Sequence, residues 1–147
     1  MGTTEITECK IVYIDTSLYI YAFQSSSDFH TKSLNIFKAL ENKFIQINSS
    51  SVTLVELLQH EKVQKNKPLH SKIKNNFFST PNLKFTYVDE IVSELSAYVA
   101  YKYTLSLPDA IHISTAILNK CDLFITNDKK LVRVKDINVA ILSEIKI

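Results

Sequence analysis

The sequence predicts an α/β domain organised around a mainly parallel β-sheet, and two observations support this fold class. Short apolar runs of β-forming residues alternate with helical segments along the whole chain, as in proteins whose parallel strands are joined by helices. The first run, Ile11-Val12-Tyr13-Ile14, is apolar at both alternating positions. This pattern is typical of a strand that is buried on both faces of a sheet.

Apolar runs, capping residues and prolines predict five strands and six helices. We expect the strands at residues 11–14, 44–47, 83–88, 123–125 and 139–142. We expect helices at residues 18–23, 30–42, 52–65 and 68–78, one after the capping residue Asp89, and one from the capping box at Ser106 to Leu118. The apolar faces expected from helical spacing are Leu34, Phe37 and Leu40 on the second helix, and Ile91, Leu95, Tyr98 and Val99 on the fifth.

Length and composition indicate one globular domain over residues 1–147, with residues 1–9 forming a loose polar N-terminal extension. Hydrophobic residues make up 46% of the chain, which is enough for an ordinary core. The chain contains a single glycine. It therefore has no glycine-rich phosphate loop, which argues against a dinucleotide-binding fold or a P-loop enzyme.

Cysteine usage and charge restrict the environment and the partners of the protein. Cys9 and Cys121 show neither CxxC spacing nor a zinc-binding pattern, and nothing at the N-terminus resembles a secretory signal. We therefore expect reduced thiols in a soluble cytoplasmic protein without a membrane partner. The net charge of +2 does not by itself indicate nucleic-acid binding. Lysine-rich stretches at residues 62–74 and 129–135 are interpretable either as phosphate contacts or as solvated helix faces.

Four acidic residues fall where a parallel sheet gathers functional groups. Asp15 ends the first strand, and Asp128 directly follows the fourth. Glu56 lies in the opening turns of the helix after the second strand, and Asp109 in the first turn of the helix that leads into the fourth. Because ligands bind beyond the carboxyl ends of the strands in such sheets, we expect these four acids to meet at that edge.

Four carboxylates at one place need a counter-charge. Two like charges about 4 Å apart repel by several kcal/mol at an effective dielectric constant of about 20, so a cation or protonation must relieve them. Carboxylate oxygens suit Mg²⁺ or Mn²⁺, whereas zinc would favour Cys or His ligands. Carboxylate-held pairs of such ions, about 4 Å apart, are commonly used to hydrolyse phosphodiesters.

Each acid also has a purely structural interpretation. Asp15 and Asp109 could be helix-capping residues, Asp128 a turn residue, and Glu56 a residue on the wet edge of its helix. Asp122 begins the fourth strand at the opposite edge and is interpreted as structural. His112, one turn beyond Asp109, could face the site, although a partly buried core position is the commoner case. The tyrosines at positions 98, 101 and 103 could stack on bases, but core or dimer contacts are favoured.

Four sequence blocks, in this order and spacing, resemble the PIN-domain family. The match runs from about residue 11 to residue 142. The blocks are Ile14-Asp15-Thr16-Ser17, Val52-Thr53-Leu54-Val55-Glu56-Leu57, Leu107-Pro108-Asp109-Ala110-Ile111-His112 and Asp122-Leu123-Phe124-Ile125-Thr126-Asn127-Asp128. Within the family, the chain is similar to the VapC-type toxins of toxin–antitoxin pairs. One departure is the segment Asn119-Lys120-Cys121, where relatives often carry a glycine, and this should affect only a turn.

The resemblance implies a three-layer α/β/α fold with a five-stranded parallel sheet, and Mg²⁺- or Mn²⁺-dependent endonucleolytic cleavage of RNA. It also implies that Asp15, Glu56, Asp109 and Asp128 are metal ligands, with Thr126 as a supporting hydroxyl. It further implies a homodimer and a protein antitoxin that covers the site.

Two other functional classes deserve comparison with this hypothesis. A signalling receiver domain also carries acids at strand ends, but it needs paired acids after the first strand, and Asp15 has no acidic neighbour. A catalytically silent PIN-like module could bind RNA or protein without cutting. Only the presence of all four carboxylates argues against the silent module.

Overall fold

Five parallel strands form one sheet in the computed structural model, which describes residues 5–147. The strands are β1 Ile11–Ile14, β2 Gln46–Ser50, β3 Leu83–Thr86, β4 Leu123–Thr126 and β5 Val139–Ile141. Their order across the sheet is β3-β2-β1-β4-β5, and every neighbouring pair is parallel. The predicted α/β class and the five-stranded parallel sheet are confirmed.

Within the described residues, seven helices accompany the strands. They are α1 Thr16–Phe23, α2 His30–Asn42, α3 Ser51–Leu58, α4 Glu61–Gln64, α5 Lys67–Phe78, α6 Glu90–Tyr103 and α7 Leu107–Leu118. Short 3-10 turns occur at Ile6–Glu8, Lys129–Arg133 and Leu142–Glu144. Asp15, Ser50, Asn66, Asp89 and Ser106 cap the helices that follow them, because each side chain accepts a hydrogen bond from a backbone N–H of the first turn. No helix within residues 5–147 is long and apolar enough to cross a bilayer.

The core is divided into two layers by the sheet, and β1 contributes to both. Val12 and Ile14 face a cluster built with α1, α2 and α5, whereas Tyr13 faces the other side with α6 and α7. The ring of Tyr13 stacks on that of Phe124 from β4, with centroids 5.1 Å apart. Successive side chains of a strand point to opposite faces of the sheet. Because both faces of β1 are buried, every position of the strand must be apolar. These layers give the predicted α/β/α arrangement.

The second strand and the third predicted helix differ most from the sequence prediction. The second strand covers residues 46–50 instead of 44–47, because Phe44 adopts a left-handed conformation (φ 56°) after α2 and is 86% exposed. The helix predicted over residues 52–65 is divided into α3 and α4. At the division, Gln64 donates its side-chain amide to the carbonyl of Leu58, which satisfies one carbonyl at the end of α3.

The buried faces of two helices agree with the prediction only in part, because Leu40 on α2 and Val99 on α6 are buried as predicted. Helix α2 buries Ser33, Ile36 and Leu40, which leaves Leu34 44% exposed. Helix α6 buries Val92, Ser96 and Val99, which leaves Ile91 and Tyr98 exposed. Both helices carry apolar residues on more than one face, so periodicity could not decide which stripe packs on the sheet.

The predicted loose extension over residues 1–9 lies partly outside the described residues, since residues 1–4 are not among them. In the described part, Ile6–Glu8 form a 3-10 turn, and Ile6 and Cys9 pack against the core. At the start of β1, one carboxylate oxygen of Asp122 accepts the backbone N–H groups of Lys10 (2.7 Å) and Ile11 (2.9 Å). Asp122 therefore fixes the start of the strand, in agreement with its structural interpretation.

Candidate active site

Asp15 lies where β1 ends, and its carboxylate is held from two sides. Oδ1 accepts the backbone N–H of Thr16 (2.8 Å), which makes Asp15 the N-cap of α1. Oδ2 accepts the hydroxyl proton of Thr126, at the end of β4 (2.7 Å). The residue is only 9% exposed, and a carboxylate at this depth needs such donors. The carboxylate can cap the helix and still bind another group, because each of its oxygens can accept more than one hydrogen bond.

Thr126 connects Asp15 with Asp128. Its side chain is completely buried, and its Oγ1 donates to Asp15 while accepting the backbone N–H of Asp128 (3.0 Å). Asp128 in turn accepts the backbone N–H of Lys130 (3.0 Å) and so caps the 3-10 turn that follows. Asp128 is therefore a turn residue, as its structural interpretation predicts. It also lies at the same edge of the sheet as Asp15.

Glu56 reaches the same edge from α3. Its Oε1 accepts the hydroxyl of Thr16 (2.9 Å) and lies 2.6 Å from Nε2 of His112. The same Nε2 lies 3.5 Å from Oδ1 of Asp15. Glu56 and Asp15 therefore flank one imidazole nitrogen, which brings the helix acid beside the strand-end acid.

His112 is a site residue to which sequence reasoning assigns no role. It is 1% exposed, and its Nδ1 lies 2.6 Å from the hydroxyl of Tyr13 on β1. One signal pointed to it, since a residue three positions after Asp109 lies on the same helix face. Nothing in the sequence identified Tyr13 as its partner, because Tyr13 stands in an apolar run that needs no polar explanation.

Asp109 takes part through its charge. Burial raises the pKa of its carboxyl, and the negative charges of Asp15 and Asp128 raise it further, against the opposing effects of a hydrogen bond with Ser106 and the charge of His112. The backbone N–H of Asp109 is bound to the cap Ser106 (3.4 Å). Among residues 5–147, no hydrogen bond joins the Asp109 carboxylate directly to another of the four acids.

Glu56 shows the opposite shift. Burial alone would raise the pKa of its carboxyl, but the hydrogen bond and charge of His112, together with the hydroxyl of Thr16, hold the pKa below its ordinary value. The pKa of His112 is raised correspondingly, because the Glu56 hydrogen bond and the surrounding carboxylates outweigh the effect of burial. The site therefore holds one acid, Glu56, whose ionised form is stabilised by nearby donors, and one acid, Asp109, whose ionised form is disfavoured.

The donor set fits a hard divalent cation, although it is not gathered as a coordination sphere. Within the described part of the chain, no three Asp, Glu, His or Cys side chains lie together as ready metal ligands. Asp15 and Glu56 are engaged by protein donors, while Asp109 carries negative charge that its neighbours make less favourable. Carboxylate and hydroxyl oxygens with excess negative charge are the donors that Mg²⁺ and Mn²⁺ prefer.

Two lysines next to the site and two tyrosines elsewhere on the surface are exposed. Lys129 and Lys130 directly follow Asp128 and are exposed. Tyr98 and Tyr101 on α6 are 55% and 84% exposed. The interpretation of these two tyrosines as core residues is therefore wrong, and a dimer contact stays a prediction.

An open depression of about 580 Å³ lies at the other edge of the sheet. Cys9, Cys121 and Asp122 are among its lining residues. Burial raises the pKa of both thiols, that of Cys121 to about 12, so neither is an activated nucleophile. The Asp122 carboxylate already accepts two backbone N–H groups at the start of β1. This depression therefore does not gather free carboxylates as the carboxyl edge of the sheet does.

Comparison with known proteins gives a consistent family result. The PIN domain model matches residues 12–137. No curated relative matches the chain. Among solved structures, the chain is similar to VapBC2 from Rickettsia felis bound to a DNA fragment from their promoter, with a TM-score of 0.68 and 19% identity over 88% of this chain and 97% of that one.

Two further structures extend the comparison. A toxin–antitoxin complex from Klebsiella pneumoniae has a TM-score of 0.66 and 22% identity over 89% of this chain and 97% of that one. VapC20 from Mycobacterium tuberculosis, a sarcin-ricin loop cleaving toxin, has a TM-score of 0.67 and 11% identity over 86% of this chain and 98% of that one. At these identities the likeness shows a shared fold.

Proposed function

Because the chain belongs to the PIN-domain family, we propose that it is a divalent-metal-dependent endoribonuclease acting at the four acids. The observation that carries the proposal is the convergence of Asp15 and Glu56 on one nitrogen of His112. Asp109 lies close enough to Asp15 and Asp128 for their charges to raise its pKa. Concentrated negative charge at the carboxyl edge of a sheet opposes binding of a phosphodiester unless a cation compensates it.

In this proposal Asp15, Glu56, Asp109 and Asp128 hold Mg²⁺ or Mn²⁺. The ion would stabilise negative charge on the phosphate and lower the pKa of water. Thr126 fixes the Asp15 carboxylate through its hydroxyl, and the N-terminus of α1 fixes the other oxygen. Lys129 and Lys130, beside Asp128, attract the RNA backbone electrostatically.

The proposed reaction is hydrolysis. A new bond forms between a water oxygen and phosphorus, and the bond from phosphorus to the 3′ oxygen breaks. The leaving oxygen takes up a proton and becomes the 3′-hydroxyl of one fragment. The phosphate remains on the 5′ oxygen of the other fragment as a 5′-phosphate. No redox partner is needed.

The test is an RNA-cleavage assay of the purified chain in Mn²⁺, in Mg²⁺ and in EDTA. Substrates should include total RNA and a sarcin-ricin loop RNA, because one structural relative cleaves that loop. We expect cleavage by the wild type in either metal and none in EDTA. Asp15→Asn should lose more than about 100-fold in rate, which exceeds the usual effect of a residue that only orients a ligand.

Asp89→Asn is the matched control. Asp89 caps α6 as Asp15 caps α1, through a carboxylate oxygen that accepts a backbone N–H (2.9 Å). The same chemical change there should leave the cleavage rate within about twofold of the wild-type rate, since an amide oxygen still caps a helix. A folded wild type that cuts none of these RNAs, or cuts equally in EDTA, would contradict the proposal. RNA binding without metal-dependent product would identify the silent module instead.

We also propose that the chain is the toxin of a toxin–antitoxin pair, acting as a homodimer in the cytoplasm. Support comes from the relatives, which include VapBC2 and a complex described as toxin–antitoxin. A small protein encoded beside this gene should co-purify with the chain and suppress its cleavage. Light scattering of the isolated chain should give twice the mass of 16.8 kDa. A monomeric mass would overturn the dimer without affecting the nuclease proposal.

A further inference from the structure

One oxygen of Glu56 is occupied by protein donors and the other is not. Oε1 accepts the Thr16 hydroxyl (2.9 Å) and lies 2.6 Å from Nε2 of His112. Among residues 5–147, Oε2 has no hydrogen-bond partner. The two oxygens of one carboxylate therefore have different roles available to them.

The contact between His112 and Glu56 has a fixed direction. An ionised carboxylate can only accept hydrogen bonds, and Oε1 of Glu56 also accepts the hydroxyl proton of Thr16. Nε2 of His112 must therefore donate its proton to Oε1. This direction is the same for the neutral and the protonated ring, because Nε2 carries a proton in both.

Tyr13 fixes the other side of the ring. Its hydroxyl lies 2.6 Å from Nδ1 of His112, and both residues are at most 1% exposed. The ring also meets the Tyr13 ring edge-on, with centroids 5.6 Å apart. Held by β1 on one side and by Glu56 on the other, the imidazole cannot turn without breaking a buried hydrogen bond.

Stability alone gives little reason for this arrangement. Replacement of a buried ion pair by well-packed apolar residues of similar volume is often neutral or even stabilising. A phenylalanine at position 13 and a leucine at position 112 would remove both polar groups together and leave neither unpaired. Orientation of a ligand is a function that the apolar pair could not perform.

We propose that His112 is a positioning residue that, supported by Tyr13, holds Oε1 of Glu56 and leaves Oε2 as the single oxygen that Glu56 offers to a divalent cation. This inference rests on the proposed function in that the four acids bind such an ion. Partners that fix a metal-binding carboxylate typically change metal affinity 10–100-fold when they are removed.

The experiment measures Mn²⁺ affinity by the electron paramagnetic resonance signal of free Mn²⁺, with the full chain and without RNA. The variants are His112→Leu, the double variant Tyr13→Phe/His112→Leu, and His112→Gln, whose amide nitrogen can still donate to Glu56. Thermal unfolding in EDTA is recorded for each. We expect His112→Leu and the double variant to bind Mn²⁺ about 10–100-fold more weakly, and His112→Gln to recover most of the loss. The double variant should unfold close to the wild-type temperature.

The inference is overturned if His112→Leu or the double variant binds Mn²⁺ like the wild type, or if a folded His112→Gln is as weak as His112→Leu. A double variant that does not fold also overturns it, because the pair would then be required for folding. Wild type that binds no Mn²⁺ removes both this inference and the proposed function. Wild type that binds Mn²⁺ but cuts no RNA contradicts only the nuclease, and the affinity comparison still decides the role of His112.

Discussion

The hydroxyl of Thr126 donates to Oδ2 of Asp15 over 2.7 Å, from one strand end to the next. The register makes this contact possible, because Ile14 of β1 pairs with Ile125 of β4, so that the following residues are neighbours. The backbone N–H of Asp15 also binds the carbonyl of Ile125 (3.0 Å). The carboxylate is therefore oriented by the sheet itself.

Removing this hydroxyl should affect both stability and cleavage. In Thr126→Val, the backbone N–H of Asp128 and Oδ2 of Asp15 lose a buried partner. We expect the free energy of unfolding to fall by about 1–3 kcal/mol and the cleavage rate to fall about 10–100-fold. Thr126→Ser keeps the hydroxyl and should retain most of the rate. Denaturant titration and the RNA-cleavage assay measure the two effects.

Thr115→Val provides the control for a buried hydroxyl outside the site. Thr115 is fully buried on α7, and its hydroxyl donates to the carbonyl of Ile111 within the same helix (2.7 Å). This variant should change stability but not the rate per folded molecule. If Thr126→Val cleaves at the wild-type rate, Thr126 has a structural role alone.

Asp109→Asn should stabilise the metal-free protein. The pKa of Asp109 is raised in the folded state, so the ionised carboxylate is less favourable there than in the unfolded chain. This cost is present above the folded pKa and disappears as the pH falls below the ordinary value of 3.8, where both states are protonated. At pH 7 in EDTA we expect the melting temperature to rise by about 2–4 °C, which corresponds to about 1 kcal/mol or less in a chain of this size.

The same substitution at Asp136 should have the opposite sign. Hydrogen bonds from Tyr103 and Lys102 lower the pKa of Asp136, so its ionised form contributes stability at neutral pH that is lost on acidification. Asp136→Asn should therefore lower the melting temperature at pH 7. A lower melting temperature for Asp109→Asn would mean that its neighbours do not disfavour its charge.

Added Mn²⁺ should raise the melting temperature of the wild type more than that of Asp109→Asn, because an ion that binds the folded state stabilises it.

Lys129 and Lys130 should contribute to RNA binding through charge. RNA affinity can be measured over a range of salt concentrations in the Asp109→Asn background, which prevents cleavage. If both lysines contact phosphates, the double change to Gln should reduce the salt slope for single-stranded RNA by about 1.4, since each contact contributes about 0.7. Lys72 and Lys74 on α5, changed to Gln together, remove the same charge elsewhere. Equal slopes for the two double variants would exclude a specific role for Lys129 and Lys130.

Local patterns predicted most of the architecture, and they failed where two solutions were locally equivalent. The limits of α2 were predicted correctly, whereas its buried face was predicted only in part. Leu34 and Ile36 are both apolar and lie on different faces of the helix, and only the docking of α2 on the sheet buries Ile36 and exposes Leu34. The same ambiguity between Ile91 and Val92 affected α6.

The sequence by itself determined the alternation of strands and helices, the capping residues, and the position of the four acids relative to the strand ends. These features depend on residues that are close together in the chain, where the spacing of apolar residues and the helix-capping residues can be recognised directly. Tertiary structure alone decided that His112 binds Glu56, that Tyr13 supports His112, and that Thr126 orients Asp15. The partners in these pairs are 56, 99 and 111 residues apart. No local pattern specifies such a partner, because the choice is made when the sheet and α7 pack together and bring buried polar groups to their donors and acceptors.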